Sequence, residues 1–252
     1  MIANSVLAKV AAWAQENGLV ISIPKTKAIV FRSKTRQIRP NLTLSLNNTE
    51  IEIVSEFKTL GVIFTEHMSW DRHVDYISSK LASINGILYR HRDFLPKNIL
   101  LLLYNSLFVS HLQYCSLVWG TTTLTNINKL SILQRRVLRI ITRSQYDCDI
   151  YSVMQNLGII RFENMYNYHL CLGLIREKKA KCNSLIRFAE LAIKGPSRYP
   201  TRNLEFWKVH SFRTNYGFQT LKYRIPNILN TYLKDNIHIL DLKPHELKYL
   251  FL

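Results

Sequence analysis

A chain of 252 residues that is 47% hydrophobic and 20% charged carries enough apolar material for one large domain or two modest ones, and lies far from the composition of disordered chains. Its formal net charge of +17 and pI near 9.8 exclude a preference for cationic partners and point to polyanions, nucleic acid first and an acidic membrane surface second. Cysteines at 115, 148, 171 and 182 show neither Cys-x-x-Cys spacing nor a neighbouring His pair, which argues against a zinc site or a disulfide framework and for reduced thiols.

Met1–Trp13 is apolar but broken by Asn4 and Lys9, and does not read as a secretory signal. Within Ser5–Glu16, Val6, Leu7, Val10 and Trp13 recur at helical spacing, with Ser5 as a cap and Asn17-Gly18 as the stop. Leu19–Ile23 is a strand candidate, Pro24 a break and Ala28–Phe31 a second strand. Arg32–Pro40 is a basic loop. Leu42, Leu44 and Leu46 alternate with polar residues, Asn47-Asn48 turns the chain, and Ile51 and Ile53 alternate with Glu50 and Glu52. That pattern predicts a hairpin with one face buried and one wet. Phe57–Phe64 follows as a further strand, with Gly61 inside it.

After Trp70 the period changes to that of a helix, marked by Val74, Ile77, Leu81, Ile84 and Leu88. Trp70 and His73 at its start read as packing before they read as ligands. Asn98–Val118 is the next helix, apolar almost all round and therefore central to a bundle. Asn98–Asn128 contains no Asp, Glu, Lys or Arg, and Ile99–Gly120 is long enough to span a bilayer. The polar groups of Asn105, Ser106, Ser110, His111, Gln113 and Ser116 would be costly in lipid, so a core helix is expected there and no membrane. Asn126–Arg143 is a third helix with Leu130, Leu133, Val137 and Ile140 on its core face. Ile150–Leu157 is a short helix, and Phe162–Glu190 one long helix or two short ones. Gly195-Pro196 marks a boundary, beyond which segments are basic, aromatic and Pro-containing. The elements add up to an α+β chain: a short helix with antiparallel strands, then a mainly α-helical bundle.

Basic residues concentrate late. Residues 1–70 hold 8 Lys+Arg against 5 Asp+Glu, and residues 71–252 hold 26 against 12. Two clusters qualify as phosphate-binding candidates. Lys25, Lys27, Arg32, Lys34, Arg36 and Arg39 form a run with no acid between them. Arg135, Arg136, Arg139 and Arg143 lie on the third helix, where Arg136, Arg139 and Arg143 share a face offset from the core stripe. Arginines at i, i+3 and i+7 can follow a phosphate backbone, though an ordinary solvated face has the same pattern. Asp147-Cys148-Asp149 spells a possible metal pair, but its place before Ile150 reads as a helix cap.

Several stretches together resemble the reverse transcriptases of non-LTR retrotransposons, jockey-like elements especially. "NGLVISIPKTKAIVF" resembles the segment after the active-site hairpin of that family. "FKTLGVIFTEHMSWDRHV" is similar to its next landmark, "LQYCSLVWG" with "KLSILQRRVLRIITR" to its helical thumb, and "RNLEFWKVHSFRTNYGFQTLKYRIPNILN" to its C-terminal stretch. The four stand in family order from about residue 5 to about residue 233.

The resemblance implies a palm remnant over 1–66, a helical thumb-like domain over 67–194 and a basic aromatic C-terminal segment over 195–252. It implies that Phe57–Phe64 is a primer grip, with Phe57, Lys58, Leu60 and Gly61 against the primer end; a plain core strand with a bulge is the other reading. It implies RNA template and an RNA/DNA or DNA primer duplex as partners, together with the palm and fingers, in a retroelement ribonucleoprotein of cytoplasm or nucleus. The family's metal-binding carboxylates come from an earlier strand and a Tyr-x-Asp-Asp hairpin, whereas residues 1–49 contain one acid, Glu16. The expectation is therefore a truncated chain that binds nucleic acid, holds no Mg²⁺ of its own and does not polymerise. A helical scaffold or interaction protein is the rival from another class, and a membrane-associated protein a third.

Overall fold

The structure, a computed structural model, describes residues 2–34, 43–47, 49–194 and 206–252. The chain is α+β and mainly helical. It divides between Tyr76 and Ile77 into an N-terminal and a C-terminal unit.

In the N-terminal unit α1 (Ile2–Glu16) ends where Gly18 turns to φ 68 and Leu19 N–H reaches back to Ala14 O at 2.8 Å. It packs Leu7 and Ala11 on a small core of Leu44, Leu46 and Ile51. That is not the face the spacing predicts in full, since Val6, Val10 and Trp13 remain exposed. Leu19–Ile23 forms no strand. Val20 is 96% exposed, and a 3₁₀ turn (Ile23–Lys25) holds Pro24, which lacks the N–H a ladder needs. β1 is only Lys27–Ala28. β2 (Ser45–Leu46) and β3 (Thr49–Glu50) make the expected hairpin. β4 (Glu52–Ile53) leaves that hairpin and pairs in parallel with β1, which takes Ile53 out of the buried register.

Phe57–Phe64 is not one strand. β5 (Glu56–Thr59) and β6 (Val62–Thr65) form an antiparallel hairpin whose two-residue turn is Leu60-Gly61, at φ 46 and φ 83. Positive φ at both central residues gives the turn whose twist suits a hairpin. Gly61 takes it freely, while Leu60 does so at a cost of about 1 kcal/mol. The hairpin runs directly into α2 (Asp71–His91). Buried Trp70 stacks edge-on against Phe64 at 5.6 Å, and the Ile63 N–H points at His73 Nδ1 at 3.4 Å. Trp70 and His73 are thus helix-start packing.

In the C-terminal unit α3 (Lys97–Leu103) continues through a π turn (Tyr104–Val109) into α4 (Ser110–Gln113). The predicted helix over Asn98–Val118 breaks at Cys115, which takes φ 50, before α5 (Ser116–Trp119). Neither Gly nor Pro announces that break. Only one side of this helix is core: Leu100, Tyr104, Phe108 and Leu112 are buried, while Leu102 and Asn105 are exposed. Among the described residues no helix is long and apolar enough to cross a membrane.

α6 (Leu124–Thr142) starts with Thr123 capping Asn126 N–H. Its buried stripe is Leu130, Gln134, Val137, Leu138 and Ile141, so a glutamine stands where the apolar pattern placed Leu133, and Ile140 is only half-buried. α7 (Ile150–Asn156) and α8 (Phe162–Lys179) follow, then the short α9 (Ser184–Phe188). The boundary at Gly195-Pro196 lies outside the described residues. From residue 206 onward the chain is no loose tail. Ile225 and Leu229 of α11 (Leu221–Leu233) and Leu247 of α12 (Pro244–Leu250) share one core with Leu170 and Leu174 of α8. Buried Asn230 binds both Trp207 backbone groups, accepting at 2.9 Å and donating at 2.8 Å.

Candidate nucleic-acid interface

The basic run of the N-terminal unit is partly neutralised. Lys27 pairs with Glu52 across the β1–β4 ladder, and Arg32 Nη2 lies 3.0 Å from Glu66 Oε2. Those acids come from β4 and from the turn after β6, 25 and 34 residues along the chain, so counting charges within the run could not find them. Lys25 and Lys34 are exposed, and Arg36 and Arg39 lie outside the described residues. In the β5–β6 hairpin Phe57 is half-buried. Lys58 Nζ donates to Tyr76 Oη at 2.8 Å, and Leu60 stands 85% exposed at the tip beside Gly61.

The C-terminal unit gathers its arginines more tightly. α6 carries Arg135, Arg136 and Arg139 to one wall of a groove of about 650 Å³, with Arg92 from the end of α2 and Tyr146 and Tyr151 from the α6–α7 connection and α7. The first turn of α7 places Tyr151 so that Arg135 Nη1 donates to its hydroxyl at 2.6 Å, while Arg161 lies 5.5 Å from its ring centroid. Arg139 lies 5.2 Å from the Tyr146 ring. Such pairs hold guanidinium groups in place by cation–π attraction without neutralising them. The Nε–H groups of Arg139 and Arg161 are buried with no acceptor among the described residues.

Asp149 is the acid lining the groove, and it is engaged as the cap of α7. Its carboxylate accepts from Ser152 Oγ at 2.5 Å and from Tyr151 N–H at 3.0 Å, which holds it below the usual carboxylate range. Among the described residues no cluster of three or more His, Cys, Asp or Glu side chains could hold a metal ion.

Arg143 does not join the groove. It caps α6 at φ 54, donates from Nη2 to Arg92 O at 2.8 Å and lies 3.6 Å from Asp93 Oδ1. The helical spacing that grouped it with Arg136 and Arg139 fails because the helix ends one residue earlier, at Thr142. The residues missed were Arg92, Tyr146, Tyr151 and Arg161. Interleaving of arginines with tyrosines across 135–161 was the available signal.

The chain is 30% identical over 132 residues to the Retrovirus-related Pol polyprotein from type-1 retrotransposable element R1 of Bradysia coprophila, covering 51% of this chain and 13% of that protein. It is 24% identical over 149 residues to the RNA-directed DNA polymerase from mobile element jockey of Drosophila funebris, covering 55% of this chain and 16% of that one. About half of the chain is thus similar to proteins of two retrotransposable elements, R1 and jockey. The chain spans less than a fifth of the length of the curated relatives it matches. No family model matches it, and no solved structure does.

Proposed function

We propose that this chain grips template–primer nucleic acid in RNA-directed DNA synthesis, with the groove of the C-terminal unit holding the phosphate backbone. The observation that carries the reading is the wall of Arg135, Arg136 and Arg139, beside Arg92 with its ion pair to Asp93 at 3.6 Å, while the lining carboxylate of Asp149 is committed to a helix cap. Fixed guanidinium groups suit phosphate oxygens, and backbone contacts of this kind do not depend on base sequence. The β5–β6 hairpin, with Leu60-Gly61 at its exposed tip, is the second surface proposed to meet the primer. Both support the thumb and primer-grip roles that the sequence resemblance implies.

Nucleotide transfer is not assigned to residues 1–252. Two-metal chemistry needs paired carboxylates, and the 49 residues preceding Glu50 contain Glu16 as their one acid. The carboxylates and the Mg²⁺ they hold are proposed to belong to another part of the polymerase, in a retroelement ribonucleoprotein of cytoplasm or nucleus. An interaction-protein reading has one observation behind it: Ile2, Val6, Val10 and Trp13 leave an apolar stripe of α1 exposed.

Equilibrium binding of a labelled RNA template–DNA primer over a salt series, with nucleotide incorporation measured in parallel, separates these readings. The proposal expects salt-dependent binding and no incorporation. Absence of binding at low salt, with self-association of the chain instead, favours the interaction protein.

A further inference from the structure

Resting on that reading, we infer that the groove takes an unpaired strand rather than the flank of a duplex, and that Tyr146 is the platform on which one base stacks. A duplex presents phosphates and sugars to a protein surface and hides its base faces. An unpaired strand presents both. The groove offers both kinds of partner. Tyr146 is 90% exposed although it sits among arginines, with Arg139 5.2 Å from the ring centroid. It gains little from the fold in that position, since nearly all its surface meets water. Its ring face is therefore open to a ligand.

The phosphate side is equally specific. Arg139 lies 5.2 Å from the Tyr146 ring in the groove, and Arg161 5.5 Å from the Tyr151 ring. Each tyrosine ring therefore stands next to a guanidinium group that can face a phosphate. An unpaired strand alternates base and phosphate in the same way. The two tyrosines differ in role. The Tyr151 hydroxyl already accepts from Arg135 at 2.6 Å and the ring is about half as exposed as that of Tyr146, so Tyr151 organises arginines while Tyr146 remains open to a base. A volume of about 650 Å³ is that of a cleft for small ligands, ~300–1,000 Å³, and suits nucleotide units of a single strand.

The test compares three labelled probes at one salt concentration: a single-stranded RNA dodecamer, the same RNA paired with a DNA complement, and a dodecamer carrying abasic sites. Each is titrated with wild type, Tyr146→Ala and Tyr146→Phe. The inference predicts that Tyr146→Ala weakens single-strand binding by about tenfold, within the range for one base–aromatic stack. It also predicts duplex binding within about twofold of wild type, retention in Tyr146→Phe, and weaker wild-type binding to the abasic strand. Tyr146 is exposed, so unchanged far-UV circular dichroism is expected and excludes misfolding as the cause. Equal loss on single strand and duplex, or no loss on either, overturns the inference while leaving the phosphate grip standing. Failure of wild type to bind any probe overturns both.

Discussion

Gln134 Oε1, in the middle of α6, accepts the N–H of Phe162, the first residue of α8, at 2.9 Å. The other end of the same amide donates to Ile160 O at 3.0 Å and to Tyr104 Oη at 3.1 Å. One buried side chain thus satisfies the backbone on both sides of the turn into α8 and fixes the π turn through Tyr104. Burial pushes the Tyr104 phenol up to about 12, so it stays neutral throughout the working range.

Gln134→Leu keeps the volume and strands three buried polar groups. Each unsatisfied group costs ~1–3 kcal/mol, so a loss of about 3 kcal/mol or more is expected in urea unfolding of the C-terminal unit. A midpoint within error of wild type would show that this amide is replaceable.

Arg143 provides a contrast with the groove. Its contacts to Arg92 O and Asp93 are exposed, and exposed ion pairs contribute ~0–1 kcal/mol. Arg143→Gln is expected to lower stability by no more than about 1 kcal/mol and to leave the salt dependence of nucleic-acid binding unchanged. A flattened salt slope in this variant would return Arg143 to the interface.

His73 gives the N-terminal unit a dependence on pH. Burial first, and the charge of Lys58 second, push its imidazole down to about 4. The unfolded residue titrates near 6.5. Between those values the unfolded chain takes up a proton that the folded chain refuses, so stability falls as pH drops through the window and levels off below it. The full effect is on the order of 3 kcal/mol. Asn at this position keeps an acceptor for the Ile63 N–H and cannot titrate. His73→Asn is therefore expected to lose the slope between pH 6.5 and about 4, read as amide exchange of β6 at a series of pH values. Parallel slopes in wild type and variant would assign the dependence to another group.

The helices were legible where period and cap agreed. Val74 to Leu88 marked α2, and Asp149 was readable as the cap of α7 because an apolar run follows it at once. The strands were less so. Leu19–Ile23 has strand composition but no strand partner among the described residues, and one positive-φ pair at Leu60-Gly61 turns an apparent eight-residue strand into a hairpin. The break at Cys115 coincides with a local side-chain bond, Trp119 Nε1 donating to Tyr114 O at 2.8 Å, which no Gly or Pro announces. Part of the candidate site was visible as arginines on one helix. The rest depends on elements distant in sequence: Arg92 arrives from α2 and Arg161 from the turn before α8, while Glu52 and Glu66 engage cations that looked unopposed.

The central claim is that Arg135, Arg136 and Arg139 hold phosphates, and the most direct measurement is the slope of log K against log salt for wild type and for the triple Gln variant. Each phosphate contact contributes about 0.7–0.9 to that slope, so the triple variant is expected to be flatter by roughly 2, on probes of any base sequence and with unchanged helical circular dichroism. An unchanged slope would contradict the account and leave these three arginines as a solvated face.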